Sequence, residues 1–90
     1  MKAAHKKQLD KIIADATAVI GTLEACAADA ADLHQEISDD YEDHTDKWKE
    51  GESGEAAQAA VERVEQIATT LQDAVDALSN LESWADEATA

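Results

Sequence analysis

Twelve residues of this chain recur at alternating steps of four and three: Leu9, Ile13, Ala16, Ile20, Leu23, Ala27, Ala30, His34, Ile37, Tyr41, His44 and Trp48. Such a spacing keeps one line on an α-helix and matches no strand period. Its period is that of a heptad, so it predicts left-handed, coiled-coil-like packing. Ile12, Val19, Cys26 and Leu33 recur every seven residues and widen the stripe on one flank. A widened stripe suits a bundle helix with two neighbours better than a two-stranded zipper. The absence of proline and the scarcity of glycine also favour long helices. The spacing therefore predicts a helix over 3–49. Gly21 lies just off the seam, and a break there, giving three helices, is the rival reading.

The segment Glu50-Gly51-Glu52-Ser53-Gly54-Glu55 reads as the turn, placed at 50–54. Gly51 suits the left-handed position that ends a helix. Ser53 suits the cap of the next, with Glu55 in its first turn. A second stripe then runs Ala57, Ala60, Val61, Val64, Ile67, Ala68, Leu71, Ala74, Val75, Leu78, Leu81 and Ala85, predicting a helix over 55–88. Acids in its last turn oppose the helix dipole and predict fraying after Trp84.

Two amphipathic helices and a short connection predict an all-α single domain over 1–90, an antiparallel helical hairpin. The arms are unequal. Helix two should cover helix one down to about Asp15, leaving Leu9, Ile12 and Ile13 uncovered. Small two-helix units are marginal alone. The overhang therefore predicts a homo-oligomer, most simply a dimer forming a four-helix bundle with Leu9, Ile12 and Ile13 in its interface.

Net charge is −14. Residues 1–11 carry Lys2, Lys6, Lys7 and Lys11 against Asp10, a net +3, and the remainder carries 3 basic and 20 acidic side chains, a net −17. Such a body repels nucleic acid and anionic membrane, so neither is an expected partner. A basic protein surface is its electrostatic complement. Cys26 is the only cysteine, which excludes an intrachain disulfide. No apolar run reaches the length of a membrane span, and no signal peptide is evident. The expected location is the cytoplasm.

Much of the charge falls in one row. Asp29, Asp32, Glu36, Asp39, Asp43, Asp46 and Glu50 follow steps of three and four opposite the seam. Asp32/Glu36, Asp39/Asp43 and Asp46/Glu50 are like-charge pairs four apart, each destabilising by about 0.2–0.5 kcal/mol. This row is the candidate partner-binding line.

Signs of catalysis or bound cofactor are lacking. Gly51 and Gly54 have no preceding strand and no lysine-serine partner, so no phosphate loop is formed. Cys26 among alanines reads as a small core filler, since a reactive thiol needs cationic neighbours. His34 and His44 are about 15 Å apart by helical rise and cannot share an ion within one chain. The residues three before them are Ala31 and Tyr41, where a di-iron bundle needs Glu. The reading is a non-enzymatic protein with no catalytic, metal or cofactor site. Tyr41 and Trp48 are expected to close the core near the turn, with Trp84 half exposed.

The stretch from Asp46 to Ala56 resembles a turn pattern of small, acidic, helical bacteriophage proteins, Trp-x-Glu-x-x-x-Gly-Glu-Ala. Trp48, Glu50, Gly54, Glu55 and Ala56 fill it. The resemblance implies a phage setting and assigns no mechanism. Taken together, the expected function is occupation of a basic partner surface, as a nucleic-acid mimic that inhibits a host DNA-targeting defence. The alternative is a structural or chaperone-like bundle in phage assembly, acidic only for solubility.

Overall fold

The computed structural model describes residues 1–90. The chain is all-α, 90% helical without strands, and forms a rod measuring 67 × 15 × 15 Å. Its elements are α1 (Ala3–Glu42), α2 (Asp46–Glu50), α3 (Glu52–Leu78) and α4 (Leu81–Thr89). α3 packs along α1, α2 rests on α3, and α4 rests on α1. His34 Nε2 lies 3.8 Å from the Glu65 carboxylate. Nearer the N-terminus, Asp10, Ile13 and Thr17 share a groove with Glu82, Ala85 and Asp86. Numbers rise along α1 as they fall along its neighbours, so the directions oppose. This register sets Leu23 opposite Val75 and Ala27 opposite Leu71, and Ala27 and Val75 are the buried apolar residues.

Every one of the twelve seam residues is buried or half-buried. The second stripe is likewise covered except at Ala60 and Ile67, which are exposed. α1 runs unbroken through Gly21, so the three-helix rival does not occur. A Cβ placed on Gly21 meets nothing within 4 Å.

The turn differs from expectation. α1 stops at Glu42 rather than continuing to Lys49. Its last turns hold Asp39, Asp40 and Glu42 and no base, an arrangement the helix dipole opposes. Thr45 then takes an extended conformation, and its hydroxyl accepts the Trp48 N–H at 3.3 Å, starting α2. Asp46 in the first turn and Lys47 and Lys49 in the last match the dipole of this short helix. Gly51 is extended, with φ −85° and ψ 179°, not left-handed. It precedes α3, which begins at Glu52, so Ser53 lies inside the helix instead of capping it. Gly54 is the glycine that geometry demands, since a Cβ there would overlap the Lys49 backbone.

The returning arm also pauses. Ser79 Oγ and Asn80 Nδ2 both donate to the Asp76 carbonyl, at 2.7 and 3.4 Å, and α3 gives way to α4. α4 remains helical to Thr89, so the expected fraying after Trp84 does not occur. Its end is held by Thr89 Oγ1, which donates to the Ala85 carbonyl at 3.1 Å, and by packing on α1.

Two lines of contact bury little. Only Ala27, Gly54 and Val75 are buried, and the chain exposes 6601 Å². A compact monomer of 9.6 kDa would expose about 5,100 Å². The rod therefore carries surface that a globular chain of its size would have removed from water.

The glycines give a direct check. Gly21→Ala should raise unfolding free energy by about 1 kcal/mol, because the helix is regular there and the space is open. Gly54→Ala should lower it by about 1–3 kcal/mol through overpacking. Urea unfolding followed by circular dichroism measures both, and equal effects at the two sites would contradict this description of the turn.

Candidate functional site

All seven residues of the acidic row are exposed. Asp29, Asp32, Glu36 and Asp39 share the outer face of α1. Asp43 is the residue after that helix, and Asp46 and Glu50 belong to α2. The row is thus continuous over its first four members and interrupted at 43–45. Ion pairs form between Lys11 and Asp15 and between Lys49 and Glu42, and His34 Nε2 approaches Glu65; none of these contacts involves the row. Asp39 alone among the seven takes a side-chain hydrogen bond, from Gln35 Nε2 at 2.9 Å. No lysine or arginine neutralises the face.

The expected overhang is shorter than the sequence suggests. Leu9 and Ile13 are half-buried, and Ile13 lies in the groove with Ala85 of α4. Ile12 is 61% exposed. The interruption at 43–45 moves the reversal of the chain toward the N-terminus, so the returning arm reaches farther along α1. Leu9 and Ile13 therefore belong to the intrachain seam, and Ile12 to a different surface.

That surface is the flank of α1. Ile12, Val19, Cys26 and Leu33 are all exposed. Cys26 is consequently not the core filler expected from its alanine neighbours. Ile67 on α3 and Trp84 on α4 are exposed as well, at 53% and 57%. The involvement of α3 went unread in the sequence, although Ala60, Ile67 and Ala74 repeat every seven residues. Testing helix two for the same flank repeat as helix one would have found it.

The aromatic residues close the end near the turn. His44 stacks on Trp48 with ring centroids 3.6 Å apart and planes inclined by 12°. Tyr41 meets Trp48 at 6.3 Å, and Lys49 Nζ lies 5.3 Å from the Tyr41 ring. Lys49 also donates to the Glu42 carboxylate at 3.3 Å. Thr45, overlooked in the sequence, organises this end by capping α2; a threonine followed by aspartate is the signal that marked it.

No three side chains of His, Cys, Asp or Glu converge as metal ligands. No helix is long and apolar enough to cross a membrane. Compared with known proteins, the chain matches no family model, no curated sequence and no solved structure.

The cap at Thr45 can be tested alone. Thr45→Ala should cost about 1 kcal/mol, and Thr45→Ser should restore most of it. Chemical denaturation provides the measurement, and an unchanged midpoint for Thr45→Ala would show that the hydroxyl does not hold α2.

Proposed function

We propose that the chain is an antiparallel helical hairpin that acts by binding and not by catalysis, presenting its acidic face to a basic protein surface of the kind that otherwise holds nucleic acid. The observation that carries this reading is the exposed row Asp29, Asp32, Glu36 and Asp39 on α1, whose carboxylates stand without a single basic partner. A face needed only for solubility tolerates interspersed lysines, which lower repulsion. Here six of the seven basic residues lie elsewhere, in the N-terminal segment or around α2, and Arg63 lies on α3.

The spacing gives the mimicry its scale. From Asp29 to Asp39 the row covers about 15 Å of helix axis, with one carboxylate about every 4–5 Å. Duplex DNA presents a charge about every 1.7 Å. A single row is therefore sparser than DNA, and the partner is a groove whose cations are themselves spaced along one edge. Inhibition of a DNA-targeting enzyme is the specific form of this function. The exposed apolar flank favours a second reading, a building block in a larger assembly.

Replacing Glu36, Asp39 and Asp43 with Gln, Asn and Asn removes three charges and leaves the seam intact. Helix stability should hold or rise by a few tenths of a kcal/mol as repulsion is relieved. Capture of basic nucleic-acid-binding proteins should fall, association should slow, and its salt dependence should flatten. Unchanged association rate and salt dependence would mean that the row is a solvated face, and the assembly reading would replace this one.

A further inference from the structure

The exposed apolar residues share one geometric property. Ile12, Val19, Leu33, Ile67 and Trp84 each stand one place before a seam residue: Ile13, Ile20, His34, Ala68 and Ala85. Apart from Met1, these are all of the large hydrophobic residues the rod exposes. One step along a helix turns about 100°. In two helices that face each other with opposed directions, a turn of the same sign leads to the same side. All five side chains therefore lie on one side of the rod. Residues one place after the seam should lie on the other side, and the structure bears on this directly. Asp10, Thr17, Glu82 and Asp86 are such residues, and they share one groove. One side of the rod thus gathers all five exposed large apolar side chains, with Asp15, Asp29 and Glu36 along its α1 border, and the other side carries none of them.

We propose that a second copy of this chain docks on the apolar side, related by a twofold axis along the rod, so that two rods close into a four-helix bundle. This rests on the apolar flank, and two members of the acidic row, Asp29 and Glu36, enter only in the choice of axis. Three observations select a second copy. The first is length: the apolar positions run from Ile12 to Leu33 on α1 and are matched by Ile67 and Trp84 on the returning arm, a flat face that another straight rod can follow. The second is area. A side 67 Å long and 15 Å wide offers on the order of 1,000 Å² per partner, which falls in the range of stable homodimers.

The third is charge. Beside the apolar side on α3 stands Arg63, the only arginine, bonded to Gln66 and to no carboxylate. Carried along from the His34–Glu65 contact, the register sets Arg63 level with Glu36, and Thr70 level with Asp29. A twofold axis along the rod places α1 of one copy beside α3 of the other without changing level. Each Glu36 then meets the Arg63 of the other copy, and Asp29 meets Thr70, so no acid faces an acid. An axis across the rod would instead bring α1 against α1 and carboxylates against carboxylates. The outermost carboxylates, Asp32 and Asp39, remain outside the bundle.

Sedimentation equilibrium at tens of micromolar should give twice the 9.6 kDa chain mass. Leu33→Asp with Ile67→Asp should return the monomer mass, because an unpaired charge is expensive in an apolar contact. Ala31→Asp, exposed on the opposite flank of the same helix, should leave the dimer intact. Arg63→Glu keeps the apolar side and should weaken the dimer about three- to tenfold. Adding Glu36→Arg should recover the loss. A monomer mass for the unaltered chain overturns the proposal. Equal dissociation by Ala31→Asp overturns the choice of side, and failure of the charge exchange to recover association overturns the axis, including where the double aspartate variant unfolds.

Discussion

Two helices that touch along a single line can cover only the residues of that line, and the seam between α1 and its returning neighbours sets this limit. Alternating steps of four and three keep the contact straight from Leu9 to Tyr41. Because the steps are strict, positions beside the seam are strict too. The exposed large apolar side chains Ile12, Val19, Leu33, Ile67 and Trp84 all stand one place before it, and Asp10, Thr17, Glu82 and Asp86 stand one place after it. The thin core follows from the same geometry. Ala27 and Val75 are buried, and most other seam residues are only half covered. A rod of this kind leaves hydrophobic surface whose natural remedy is another rod.

The turn end decides which residues meet. Thr45 starts α2, the stack of His44 on Trp48 packs it, and the absence of a side chain at Gly54 lets the Lys49 backbone approach. Together they shift the reversal and bring α4 onto α1 as far as Asp10. A turn displaced by a few residues would change which levels of α1 and the returning arm meet, because the register is counted from the reversal. Asp29 and Glu36 border the apolar side of α1 while Asp32 and Asp39 point away from it, so only the latter pair stays free for a basic surface when a second copy is bound.

The long-range pattern was legible in the sequence where it was periodic. The all-α class, the covered seam of α1 and most of the second stripe follow from spacing alone, because spacing is a property of the helix itself. The breaks were less legible. The interruption at 43–45 depends on competition between helix continuation, acidic residues at a C-terminus and one threonine cap, terms of about 1 kcal/mol each. Gly51 suits a left-handed stop, yet it joins α2 to α3 in extended backbone. Cys26 illustrates the flank. Its alanine neighbours suggest a core position, but its place immediately before Ala27 turns it outward. The extent of the overhang at Leu9 and Ile13 was misjudged because it depends on the turn and not on either helix.

If the apolar side is covered by a second copy, folding and association are one equilibrium, and apparent stability must depend on concentration. Thermal unfolding followed by circular dichroism over a hundredfold range of protein concentration measures this directly. The midpoint should rise steadily with concentration while the low-temperature spectrum remains helical. A midpoint that stays constant across the range would mean that the single rod is the complete folded unit, contradicting the central claim that its seam leaves a side for a second copy to cover.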